Sequence, residues 1–156
     1  MRSIVPLTEW PAEAEGLLVE SELEGFRFVR RAKDEWLSGE NRFSKEGETL
    51  CGVFEGARLV AIGGVTRDSG RCGRLRRIYV RRQERRAGIG RQLVLHLVAF
   101  ARRHYARVAL RCDSEAADRF YRALGFCRTN ADPGATHAMD LGEPRVRPPA
   151  ALSHRS

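Results

Sequence analysis

The residues with the clearest chemical use lie at the start of the stretch Tyr79 to Tyr105, which reads YVRRQERRAGIGRQLVLHLVAFARRHY. Gly88 and Gly90 free the backbone where a strand pattern ending at Val80 feeds a long helix. The first amides of a helix have no partner inside it, and the helix dipole adds positive potential there. Arg81, Arg82, Arg85 and Arg86 surround that turn with cations. Amides, dipole and guanidinium groups together suit a phosphate. Position 93 is a leucine rather than a third glycine, and no Gly-Lys-Ser/Thr follows. The turn therefore fits neither a dinucleotide fingerprint nor a P-loop.

The elements that must hold this turn follow from pattern. Leu93, Leu97, Phe100 and Tyr105, with Val94, Val98 and Ala101, form the apolar stripe of the helix behind it. Arg74 to Val80 reads as a strand alternating Leu75, Arg77 and Tyr79 against Arg76, Ile78 and Val80. Leu50–Phe54 and Arg58–Ile62 make a hairpin, and Gly63-Gly64 marks a bulge or a close backbone approach. Upstream, helices are expected from about Pro11 to Leu23, ending at Gly25, and from Phe26 to Trp36, followed by a polar, mobile-looking loop from Gly39 to Glu48. Downstream, Arg107 to Cys112 is a strand, and Asp113 or Ser114 caps a helix running to Leu124. Phe126–Thr129 and Thr136–Leu141 close the domain, and a Pro-rich tail is expected over 143–156.

The turn resembles the R/Q-x-x-G-x-G/A signature of the GNAT superfamily of acetyl-CoA-dependent N-acyltransferases. The run Ala117-Asp118-Arg119-Phe120-Tyr121-Arg122-Ala123-Leu124-Gly125-Phe126 is similar to that family's second motif, in the right order and at the right distance. The resemblance spans roughly Leu50 to Leu141. It implies an α+β fold: a GNAT-like single domain over 1–142, with a mixed, mostly antiparallel central sheet flanked by helices. It also implies that acetyl-CoA is the cosubstrate, that Arg85, Arg86, Ala87, Gly88, Ile89 and Gly90 bind its pyrophosphate, and that the backbone of Ile78, Tyr79 and Val80 pairs with its pantetheine arm. Tyr121 would then donate a proton to the leaving thiolate, a task that suits a phenol of pKa about 10. Ser114 stands where many members place a cofactor-binding asparagine, and Arg74 where many place a glutamate base. Asp68, Asp34, Glu35 and His137 are the carboxylates and imidazole that could substitute as base. The implied reaction is direct attack by the primary amine of a small molecule or peptide on the bound thioester, with the Val80 amide steadying the oxyanion. Homodimers are common in the family.

Composition narrows the remaining choices. With 42% apolar and 31% charged residues, the chain has a globular balance. Residues 1–50 hold seven Lys/Arg against eleven Asp/Glu, net −4, and residues 51–156 hold twenty-one against nine, net +12. That polarity admits a basic nucleic-acid-binding module, but the basic run lacks interleaved aromatics. A non-catalytic acyl-CoA sensor is the other alternative. Cys51, Cys72, Cys112 and Cys127 have neither zinc nor dense disulfide spacing, so no metal is expected and the thiols read as free. No apolar run has signal-peptide or membrane-span length, which points to the cytoplasm.

Overall fold

The computed structural model describes residues 1–144. Its longest strand, β3 (Arg58–Ser69), is apolar and β-branched through its first half and lies buried in the sheet. It pairs antiparallel with β2 (Thr49–Glu55) across the turn at Glu55–Arg58, and with β4 (Cys72–Val80) across Gly70–Arg71. An edge strand, β1 (Arg2–Pro6), β5 (Arg107–Leu110), β6 (Cys127–Arg128) and β7 (His137–Asp140) complete a sheet ordered β1-β2-β3-β4-β5-β7-β6. Only β4 and β5 run parallel, so the sheet is mixed and mostly antiparallel. No helix among the described residues is long and apolar enough to cross a membrane.

Helices cover both faces. On one, α1 (Ala14–Leu23) and α2 (Phe28–Ser38) pack Leu17, Leu18 and Val29 onto Leu59, Ile62 and Tyr79. On the other, α3 (Ile89–His104) and α4 (Glu115–Ala123) enclose a larger core around Leu93, Leu97 and Phe126. α1 begins at Ala14 and not Pro11, because Pro11 and Ala12 are taken up by the tight turns that accept the Ala14 and Glu15 amides. Gly25 and Gly39 end α1 and α2 in the left-handed region, as expected.

The strand β4 departs from its expected alternation. Arg77 has φ 60, and the β3 register skips from Ile62 opposite Tyr79 to Gly64 opposite Arg76. This bulge reverses the phase, so Leu75 joins Ile78 and Val80 in the α3-side core while Tyr79 faces α1. Gly63-Gly64 marks both features it suggested. Gly63 lies opposite the bulge, and a Cβ on Gly64 would come within 2.6 Å of Thr49 O and 2.8 Å of the Phe43 ring.

Phe43 also corrects the reading of the 39–48 loop. It is buried with Trp36 and Leu50, and its amide donates to Asn41 Oδ1 at 2.9 Å. Arg42 Nε donates to Trp36 O at 2.9 Å, and the hydroxyl of buried Tyr105 donates to Gly47 O at 2.6 Å. The loop is therefore tied down at both ends. The closing strands are shorter than expected, and most of the Pro-rich tail, from residue 145 on, lies outside the described residues.

Candidate active site

β4 and β5 pair only at Cys72, Gly73 and Arg74, opposite Arg107, Val108 and Ala109. From Leu75 to Val80, β4 has no partner on that side among the described residues. The Arg81 amide donates to Val60 O at 2.8 Å, on the β3 side. Strand alternation then turns the amides of Val80 and Ile78 towards the open side. The sheet thus contains an interior edge that an extended ligand arm could join as an additional strand.

The turn continues from that edge. A 3₁₀ turn, Arg82–Glu84, leads to Arg86 and Gly88, with φ 75 and φ 81. Nothing lies within 4 Å of a Cβ on Gly88, so the glycine is required by conformation and not by space. Gly90 differs, since a Cβ there would make ordinary contacts at 3.5 Å with Val80 and Phe120. The first helical bond runs from the Gln92 amide to Gly88 O at 3.0 Å. The amides of Ile89, Gly90 and Arg91 consequently project from the start of α3 without an intrahelical acceptor. Here the fold presents an anion cradle beside the open edge.

Two of the four arginines have internal tasks. Arg81 Nε donates to Leu59 O at 2.8 Å, and its Nη1 lies 3.5 Å from Glu20. Arg85 Nε donates to Val80 O at 3.0 Å while its terminal nitrogens grip Glu24 at 2.6 and 3.0 Å. Tyr79 Oη lies 2.9 Å from a Glu20 oxygen and 2.5 Å from a Glu24 oxygen, with its one proton shared between the two carboxylates. Burial, and then those two carboxylates, push its phenol far above the ordinary range. Arg85 holds the Glu24 carboxyl below its usual value. Glu20 is also lowered: burial opposes this, but the Arg82 amide, Tyr79 and Arg81 outweigh it. This network fixes the turn against α1. Arg82 and Arg86 form no ion pair among the described residues, and they are the cations left to face a phosphate.

Tyr121 comes to the same place from α4. Ser114 caps that helix, its hydroxyl accepting the Ala117 amide at 3.0 Å, so the residue at the asparagine position serves the helix start. The Tyr121 ring lies edge-on to Phe120 at 5.0 Å and to Phe126 at 5.6 Å. Phe120 also borders Gly90, which brings α4, the end of β4 and the turn together. The Tyr121 hydroxyl has no hydrogen-bond partner among the described residues, and burial, aided by Cys112, pushes its phenol well up. It is a neutral donor with its proton uncommitted.

On the opposite face, between α2, the 39–48 loop and β4, lies a pocket of about 520 Å³. Arg42, Lys45, Arg76 and Arg77 line it together with Glu35 and Glu48. Among the base candidates, Asp68 is 2.9 Å from Arg74 and Glu35 is 3.1 Å from Arg77. His137 is buried, with Nε2 at 2.8 Å from Asp118 and Nδ1 at 2.8 Å from Thr136. Asp34 is exposed on α2 and does not line the pocket. Glu48, missed in the sequence, accepts the Arg67 amide at 3.2 Å and has no arginine partner among the described residues. No group of three metal-ligating side chains gathers among the described residues.

Residues 13–126 match the acetyltransferase (GNAT) family. A protein from Exiguobacterium sp. 255-15, assigned as an acetyltransferase, is 30% identical, with 90% of this chain and 93% of that one covered at a TM-score of 0.80. An acetyltransferase from Streptococcus agalactiae 2603 shares the fold at 16% identity and TM-score 0.74, covering 90% of this chain and 98% of its own. The ribosomal-protein alanine N-acetyltransferase from Escherichia coli does so at 20% identity and TM-score 0.67, covering 92% and 96%. No curated protein sequence matches the chain.

Proposed function

The chain belongs to the GNAT family of acetyltransferases, and from that premise we propose that it is an acetyl-CoA-dependent N-acetyltransferase acting on a primary amine by direct attack in a ternary complex. One observation carries the reading: the unpaired edge of β4 runs straight into an amide-lined turn, and the Phe120 ring that borders both packs edge-on against an uncommitted phenol. Bound acetyl-CoA supplies the activated acyl group. The backbone of Ile78, Tyr79 and Val80 would hold the pantetheine arm. The amides from Arg85 to Gly90, with Arg82 and Arg86, would hold the pyrophosphate.

The residues then divide the work. The Val80 amide, facing the gap, donates to the carbonyl oxygen as it gains charge. Tyr121 Oη gives its proton to the departing sulfur, and its raised pKa keeps that proton in place at neutral pH. The pocket on the α2 side admits the amine, and Glu48 is the pocket carboxylate that could draw off its proton, directly or through water. Holding both reactants in one geometry supplies a large share of the rate, up to about 7–11 kcal/mol in well-oriented systems.

Acetyl-CoA at 100 times its Kd should stabilise the folded protein by about 2.7 kcal/mol, a melting shift of roughly 5–10 °C for a chain of this size. Thiol release with an amine panel completes the test. No melting shift at millimolar acetyl-CoA would refute the reading. A shift without thiol release from any amine would instead favour an acyl-CoA sensor, the reading that Arg74 at the glutamate position keeps in play.

A further inference from the structure

Three arginines follow one another along β4, and only two are neutralised. Arg74 is 2.9 Å from Asp68, and it also donates to Pro133 O at 2.7 Å and Gly134 O at 3.2 Å. Arg77 is 3.1 Å from Glu35. Arg76, between them, is partly buried and donates from Nε to the neutral Thr66 hydroxyl at 2.9 Å. It has no carboxylate partner among the described residues, and its terminal nitrogens make no hydrogen bond there. Burial, with Arg74 and Arg77 alongside, lowers its affinity for its proton. Leaving a guanidinium half out of water without an anion is costly.

The pocket wall carries the same imbalance. Arg77 and Glu35 cancel as a pair, which leaves Arg42, Lys45 and Arg76 against Glu40 and Glu48, one cation in excess. Arg77 Nε on that wall is shut off from solvent and has no partner among the described residues. Both signs of charge are thus open to a ligand, on groups that the protein does not pair with each other.

The geometry points to an acceptor that carries a carboxylate as well as its amine, an amino-acid-like zwitterion, with Arg76 gripping the carboxylate and Glu48 facing the ammonium. A planar fork with two free ends matches a carboxylate bidentately. Arg76 and Glu48, both on the pocket wall, meet the two opposite charges of such a ligand one for one. Arg74, the neighbouring cation on the same strand, is already held by Asp68 and two carbonyls. The inference rests on the acyl-transfer reading, and its test separates the two.

The experiment is ligand-observed NMR in the presence of coenzyme A. It compares L-amino acids, β-alanine and 4-aminobutyrate with their carboxamides, on the wild type, Arg76→Gln and Arg76→Lys, with thiol release followed in parallel. At least one acid should bind about tenfold or more tighter than its amide, the scale of a hydrogen-bonded charge. Arg76→Gln should abolish that preference while keeping the acetyl-CoA melting shift, which shows that the variant is folded. Arg76→Lys should retain part of it. Equal binding of acids and amides, a preference that survives Arg76→Gln, or no binding by any acid overturns the inference. Preferential binding without thiol release supports this subsite and counts against the acyl-transfer reading alone.

Discussion

Replacing Tyr121 by phenylalanine isolates one atom. The ring keeps its edge-on contacts with Phe120 and Phe126, at 5.0 and 5.6 Å. The deleted hydroxyl has no partner among the described residues, so its loss leaves no buried group unsatisfied. Stability should therefore change by less than about 0.5 kcal/mol, a melting shift of roughly 1–2 °C. Acetyl-CoA should stabilise the variant as it does the wild type. Loss of a positioned general acid costs about 10²–10⁴-fold in rate, which is roughly 2.7–5.5 kcal/mol of barrier. kcat should fall by that factor with little change in the acetyl-CoA KM. The pH profile adds a check on sign. An acid must be protonated to act, and burial raises this phenol, so wild-type kcat should show no descending limb from Tyr121 up to about pH 10. Stopped-flow or thiol-coupled assays from pH 6 to 10 measure both quantities. A variant kcat within about threefold of wild type, or a wild-type limb falling near pH 8 that Tyr121→Phe removes, would refute the assignment.

Gly88→Ala must hold a left-handed φ of 81, at a cost of about 1–2 kcal/mol, and should weaken acetyl-CoA binding in calorimetry. Gly90→Ala, with open contacts at 3.5 Å, should bind nearly as wild type; equal losses in both would contradict the account of the turn. Tyr105→Phe deletes the 2.6 Å bond to Gly47 O inside the fold. It should cost about 1–3 kcal/mol, read by urea titration, and should raise the acceptor KM through the 39–48 loop. Asp132 is held below the usual carboxylate range, chiefly by Arg107, with burial opposing. A depressed folded pKa gives stability that is present above about pH 3.9 and is lost as pH falls below it. Asp132→Asn should thus lower stability at pH 7 and flatten the acid limb of the melting curve.

The turn, α3 and the hairpin were legible because each rests on local rules: paired glycines, a helical stripe, two short apolar runs about a Gly-containing turn. β1 was not. In Arg2–Pro6 only Ile4 packs against the core, among the strongly apolar positions, and five residues ending in proline carry no periodic signal. The bulge at Arg77 was hidden for a different reason. Its signal lies in the opposite strand, in Gly63, and an alternation counted along β4 alone runs through it in the wrong phase. Arginine counting failed in the same way. The sequence places Arg81, Arg82, Arg85 and Arg86 around one turn, but Glu20 in α1 and Glu24 just past its end, which engage Arg81 and Arg85, meet them only in three dimensions. Arg76 and Glu48 came to line one pocket only when the loop folded back on β4. Membership of the family could be read from two motifs, whereas the acceptor side depends on long-range packing.

The short seam between β4 and β5 has a mechanical meaning. Three residue pairs join one leaf, β1 to β4, to the other, β5 with β7 and β6. Gly73 sits at the middle of that seam, where the Tyr105 ring lies 2.5 Å from the position a Cβ would take. The same tyrosine reaches on to Gly47. A guest strand filling the gap would turn two leaves into one continuous plate, stiffening the far leaf as well as the edge it touches. Tyr105, wedged at the pivot, would carry that stiffening to the loop that borders the acceptor pocket. The donor's arrival would then be felt on the acceptor's side through a single aromatic ring.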